Sequence, residues 1–232
     1  MTYILHLDTT TKQCSVAIGN QGILVAKKEL KSETFSHSEK LHGFIVQVVE
    51  QAGITLNQLA AIAISKGPGS YTGLRIGVAS AKGLCFALDI PLIALNTLEM
   101  MVQSYLVPQQ GFIIPMLDAR RMEVYTAIFD DKKNWVIPTQ ALVLETDSFR
   151  EYVENKPCLV LGDGAEKFKK IGPQINAEFT LDTVFPSASD MVAMAWDRFN
   201  EKVFEDVAYF EPFYLKDFQT TPPQKKIDYT IR

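Results

Sequence analysis

Along the first thirty or so residues, apolar positions alternate with polar or small ones in three short runs. The pattern predicts strands at Tyr3–Leu7, Cys14–Gly19 and Ile23–Leu30, with Thr9-Thr10-Thr11-Lys12 and Asn20-Gln21-Gly22 as the turns. The period then lengthens. Leu41, Phe44, Ile45, Val48, Val49 and Ala52 recur at helical spacing, Ser36 and Glu39 read as a capping box ahead of them, and Gly53 suits the C-terminal cap. A strand at Leu59–Ser65, a helix at Thr72–Leu88 with Thr72 as N-cap, a strand at Pro91–Leu95 and a helix at Leu98–Tyr105 follow.

The second half repeats this order. Phe112–Leu117, Glu123–Phe129 and Trp135–Val143 read as strands, then a helix at Ser148–Glu154, a strand at Cys158–Gly162 and helices at Ala165–Ile171 and Ser189–Val203. Ile4, Leu7, Asp8, Ala17 and Ile18 match Ile114, Leu117, Asp118, Ala127 and Ile128 at one constant offset of 110. Two copies of a meander followed by alternating helices and strands predict an α/β chain with a duplicated ribonuclease-H-like fold. That is the two-lobe architecture of the actin, Hsp70 and sugar-kinase (ASKHA) superfamily. The expected lobes are residues 1–105 and 106–205, divided near Gln103–Gln110, with 206–232 as an extended tail.

Composition narrows the field. With 232 residues, 47% hydrophobic, 22% charged and a net charge of −4, the chain is a poor candidate for a strongly basic nucleic-acid binder. No apolar run reaches the ~18 residues of a membrane span, and the opening MTYILHLDTTT lacks the features of a signal peptide. Cys14, Cys85 and Cys158 are scattered and odd in number, which suits a reducing cytoplasm.

Two segments could carry chemistry. Asp8-Thr9-Thr10 occupies the hairpin that faces phosphates in nucleotide-binding members of the superfamily, but Thr9 stands where those members carry glycine. With Asp118 in the second half, the triplet reads as a phosphate-loop remnant. Lys66-Gly67-Pro68-Gly69-Ser70-Tyr71-Thr72-Gly73 joins a buried strand to a helix through Gly67, Gly69 and Gly73 without the spacing of a Walker loop. His6 lies in a strand, and His37 and His42 sit about 140° apart on a helix. The chain has no HExxH, CxxC or GxSxG. Asp163, in Leu161-Gly162-Asp163-Gly164, is explained by a β-turn.

Ile4-Leu5-His6-Leu7-Asp8-Thr9-Thr10, Gly67-Pro68-Gly69-Ser70-Tyr71-Thr72-Gly73-Leu74-Arg75-Ile76-Gly77 and Asp118-Ala119-Arg120 with Glu123-Val124-Tyr125 together resemble the TsaB (YeaZ) family over nearly the whole length. The resemblance implies a non-catalytic subunit in the formation of threonylcarbamoyladenosine beside the tRNA anticodon. Its implied partners are the catalytic paralogue TsaD as a heterodimer, the TsaE ATPase, and a second copy when alone, with tRNA met only through the complex. TsaD carries an HxxxH metal motif after the strand that follows its glycine loop; here Thr97 and Met101 stand at those positions. No catalytic residue, metal or cofactor is therefore expected. The competing class is a stand-alone ATPase or phosphotransferase, for which Asp8 and Asp118 would be the working residues.

A partner surface is predicted from helical geometry. Arg75, Ala79, Lys82 and Phe86 fall within about 60° of one another on their helix, while Leu74, Val78, Ala81, Cys85 and Leu88 form a separate apolar face. An aromatic beside a small residue, framed by two cations, fits helix packing better than a solvated face. The resemblance implies that this helix and its neighbour at 36–52 pack on the equivalent pair of TsaD or of a second copy, with Val46 joining the patch.

Overall fold

The computed structural model describes residues 1–32, 37–171, 177–180 and 184–216. Ser36, the expected N-cap, and the segment Gln219–Arg232 lie outside the described residues. The first sheet is built from β1 (Tyr3–Asp8), β2 (Gln13–Asn20), β3 (Ile23–Lys31), β4 (Leu59–Gly67) and β5 (Leu92–Asn96) in the order β3-β2-β1-β4-β5. The second uses β6 (Phe112–Asp118), β7 (Glu123–Asp130), β8 (Trp135–Val143), β9 (Cys158–Leu161) and β10 (Ala177–Phe179) in the order β8-β7-β6-β9-β10. Each has an antiparallel meander on one side of its central strand and parallel strands on the other. The duplicated ribonuclease-H-like fold is the architecture observed.

The first sheet buries one face beneath α1 (His37–Gln51) and α2 (Tyr71–Leu88), where Leu41, Val48, Val78 and Cys85 meet Leu5, Leu7, Val16 and Ile62. The helices that cover the remaining faces are exchanged between lobes. α3 (Thr97–Met101), although it follows β5, lays Leu98 and Met101 against Ile113, Leu117 and Phe129 of the second sheet. A 3-10 turn at Ala188–Met191 and α6 (Val192–Asn200) return to the first sheet, where Met191 and Ala195 cover Ile4, Ala17 and Ile93. Apolar burial thus ties the two halves together by a crossed pair of closures.

Several expectations need correction. Ser70, whose hydroxyl accepts from the Gly73 amide, caps α2 in place of Thr72. The helix expected at Leu98–Tyr105 ends at Met101, and that at Ser148–Glu154 shrinks to α4 (Arg150–Val153). The last helix is broken into the 3-10 turn and α6, and β10 is a strand that the sequence reading lacked. The constant offset of 110 also fails in the central strands. It aligns Ala17 with Ala127 and Ile18 with Ile128 on matching faces, but places Ile4 and Leu7 on the faces opposite to Ile114 and Leu117. Ser15 opposes Asp8, whereas Tyr125 opposes Leu117. The second hairpin is one residue longer, so Asp8 corresponds to Leu117 and not to Asp118.

Candidate functional site

The turn after β1 lies directly beneath the loop joining β4 to α2. The Thr9 hydroxyl donates to the Gly73 carbonyl at 2.7 Å, and the Ser70 amide donates to the Thr10 carbonyl at 2.6 Å. A Cβ at Gly69 would overlap Thr10, and one at Gly73 or Gly77 would overlap Thr9. The glycines are therefore required by this close approach of backbone to backbone. Gly67 serves a different neighbour: at φ +117° it passes under the Phe213 carbonyl. Asp8, Thr9 and Thr10 are all buried, and Thr9 fills the space between turn and helix with its own side chain and carbonyl.

Burial sets the electrostatics. Oδ1 of Asp8 accepts from the Thr10 hydroxyl at 2.7 Å, while Oδ2 has no partner among the described residues. Loss of solvent pushes the Asp8 carboxyl up to about 7, against the pull of Thr10. Two residues earlier on the strand, His6 is drawn down to about 4 by the same desolvation, and its Nε2 is also unpartnered. Asp118 stands in another environment. It is exposed, accepting from the Arg120 amide at 2.6 Å and the Lys167 ammonium at 2.8 Å, while its own amide donates to Asp163. The two aspartates do not converge on a shared site.

Thr97 and Met101 are committed to packing. The Thr97 hydroxyl shares a hydrogen bond with that of Ser65 at 2.8 Å, and Met101 lies in the apolar layer under α3. Among the described residues no three His, Cys, Asp or Glu side chains come together as a metal site, and no helix is long and apolar enough to cross a membrane.

The outward stripe of α2 is where helical geometry places it. Phe86 is 86% exposed, Ala79 and Arg75 are exposed, Lys82 is half-buried, and Val46 on α1 is 55% exposed. The chain itself engages the two cations, which the sequence reading missed. Residues 204–216 fold back across α2, so that Lys82 donates to the Ala208 and Phe210 carbonyls, at 3.2 and 2.9 Å. Arg75 lies over the Tyr71 ring and donates to the Tyr214 hydroxyl at 3.4 Å. Between this segment and the helix lies a groove of about 480 Å³ with Ala79 in its wall. Phe210, Phe213 and Tyr214, crowded into a supposed tail, were the available signal.

Comparison with known proteins identifies the family. The family model for TsaD, tRNA N6-adenosine threonylcarbamoyltransferase, matches residues 32–223. The tRNA threonylcarbamoyladenosine biosynthesis protein TsaB of Escherichia coli is 29% identical over 92% of this chain and 94% of that relative. TsaB of Bacillus subtilis is 31% identical over 72% of this chain and 74% of its own length. The solved structure of YeaZ from Pseudomonas aeruginosa superposes with a TM-score of 0.77 at 25% identity, covering 93% of this chain and all of that one. A family match across most of the length, joined to the glycine loop seated on the Asp8-Thr9-Thr10 turn, shows that the chain belongs to the TsaB (YeaZ) branch of the TsaD family.

Proposed function

We propose that this chain takes part in forming threonylcarbamoyladenosine on tRNA as a non-catalytic subunit that docks onto the catalytic paralogue TsaD. The observation that carries the reading is the contrast between a closed cleft and an open face. The turn that would hold a phosphate is buried under the glycine loop and filled by Thr9, whereas α1 and α2 leave Val46, Ala79 and Phe86 facing out. The same filling argues against a stand-alone ATPase or phosphotransferase. Any working role for Asp8 would require the loop to lift away from the hairpin.

In this proposal the TsaD heterodimer forms through the α1–α2 face, with Val46, Ala79 and Phe86 at the centre and Arg75 and Lys82 at the rim. TsaE joins the assembled pair, tRNA is met only through the complex, and the free chain pairs with a second copy through the same face. The cytoplasm is the expected setting.

Ala79→Glu tests the reading. The side chain lies outside the lobe core, so the free protein should keep its melting temperature. In the complex it would bury an unpaired carboxylate at a cost of about 3–5 kcal/mol. Size-exclusion chromatography of the variant mixed with TsaD should show separate peaks where wild type gives one. A normal complex from the folded variant would place the interface elsewhere. ATP turnover by the purified chain, abolished by Asp8→Ala, would instead favour the stand-alone enzyme.

A further inference from the structure

Edge strand β5 of the first sheet faces edge strand β8 of the second, and the Asn96 amide bridges them by donating to the Thr139 hydroxyl at 3.0 Å. Beside that bridge is an interlobe cavity of about 480 Å³. Its apolar walls are Trp135, Pro138 and Phe213, and its charged lining is Lys66, Glu99 and Arg198. Trp135 is held by its neighbour Phe129, with ring centroids 4.4 Å apart. The Phe213 amide, donating to the Lys66 carbonyl at 2.7 Å, holds that wall in place.

Lys66 and Arg198 are each close enough to act on Glu99 without pairing with it. Lys66 and Arg198 both favour the ionised form of Glu99, yet burial outweighs them and its carboxyl is pushed above the usual range. Among the described residues none of the three makes an ion pair with another. A half-buried carboxylate that faces two cations across open space has given up hydration without gaining contact. A guest carrying one charge of each sign on a small body supplies what is missing. A simple carboxylate would satisfy the cations and leave Glu99 alone, and a phosphate would be repelled by it.

We propose that this interlobe cavity binds a free α-amino acid with a bulky apolar side chain. The carboxylate lies between Lys66 and Arg198, the ammonium meets Glu99, and the side chain rests on Trp135, Pro138 and Phe213. Apolar walls with a few convergent polar groups are the usual make-up of a small-molecule site.

L-Phenylalanine is a suitable probe, with 3-phenylpropionate and phenethylamine as its two singly charged halves. Binding to the full-length chain is measured by calorimetry and by the emission of Trp135. Saturable binding at about 1 mM or tighter is expected, with each half weaker by about tenfold or more. Glu99→Gln should remove the preference for phenylalanine over 3-phenylpropionate, and Arg198→Gln should weaken both acids. Trp135→Phe should remove the optical change and, by shrinking the apolar wall, weaken calorimetric binding of phenylalanine by a few fold. The proposal is overturned if wild type shows no saturable heat up to about 10 mM. Equal affinity for phenylalanine and 3-phenylpropionate, or affinity unchanged in both charge variants, overturns it as well.

Discussion

Both sheets have the same strand order and polarity, yet the first carries helices of 15 and 18 residues where the second carries helices of 4 and 7. The difference extends to chemistry. On α5 (Ala165–Ile171), Glu166, Lys169 and Lys170 meet solvent, as a surface helix should. On α2 the outward side offers Ala79, Gly83, Phe86 and Ala87, a combination that gains little from water. Duplication supplied two equivalent frames. One carries short, solvated covers, and the other a longer helical layer that leaves Ala79 and Phe86 exposed. Both close a glycine loop onto the neighbouring hairpin, but the first does so with buried threonines and the second with an ion pair between exposed Asp118 and half-buried Lys167. The buried Asp8-Thr9-Thr10 turn and the proposed docking face therefore belong to the same lobe.

The largest expected effect separates the two closures. Gly73→Ala would drive a methyl into the Thr9 carbonyl, and backbone cannot easily retreat there, so a loss of at least about 3 kcal/mol is expected. Gly164→Ala meets Val124 Cγ1 at 2.9 Å and Leu117 backbone at 3.0 Å, a milder overlap than the one at Gly73. A loss of about 1–2 kcal/mol is expected at that position. Urea unfolding of both variants measures the gap. Equal losses would mean that the first closure is no tighter than the second.

Much of this asymmetry was legible in the sequence. Strand alternation, the Gly53 cap and the crowded glycines of the β4–α2 loop follow from local chemistry, and the matching element order revealed the duplication. The one-residue slip between halves was not legible. Apolar strands match one another at many offsets, and a shift of one residue reverses every face. Nor could periodicity reveal the exchange of α3 and α6, because an apolar stripe shows that a helix is covered without showing by which sheet. In the site, Thr9 in place of glycine announced the filled cleft. The return of 204–216 over α2 went unread because residues flanked by prolines and lysines looked like a tail, although their aromatics needed a surface.

Asp8 and Asp118 stand in different surroundings, one buried and one exposed, so their removal should have different consequences. The folded Asp8 carboxyl titrates near about 7 rather than 3.8, so between those values the folded chain holds a proton that the unfolded chain has released. Stability falls with rising pH through that window, by about 4 kcal/mol at most. His6 runs the other way. Drawn from 6.5 to about 4, it makes stability rise with pH between those values. In wild type the two slopes oppose each other. Asp8→Asn should unmask the His6 slope below about pH 6.5 and leave the variant more stable than wild type at about pH 8. Asp118→Asn, at an exposed carboxylate that meets Lys167, should change stability by less than about 1 kcal/mol. Urea midpoints across the pH range would sink this account if Asp8→Asn shifted the curve uniformly.

The smallest effect tests the helical layer itself. Gly43 on α1 and Gly83 on α2 are exposed, and a Cβ at either would meet nothing within 4 Å. A solvated helix has no use for glycine there, since alanine would stabilise it by about 0.8–1 kcal/mol. A face that receives another helix does have a use, because the missing methyl lets the partner backbone come close. Each glycine lies about 60° round its helix from an exposed apolar neighbour, Val46 or Phe86. Gly43→Ala and Gly83→Ala should therefore raise the melting temperature of the free chain by a few degrees while weakening its complex with TsaD. Opposite signs in the two assays are what a docking face requires. Gains in both would mean that these glycines are accidents of a solvated surface, and that the first lobe's outer layer differs from the second's only in length.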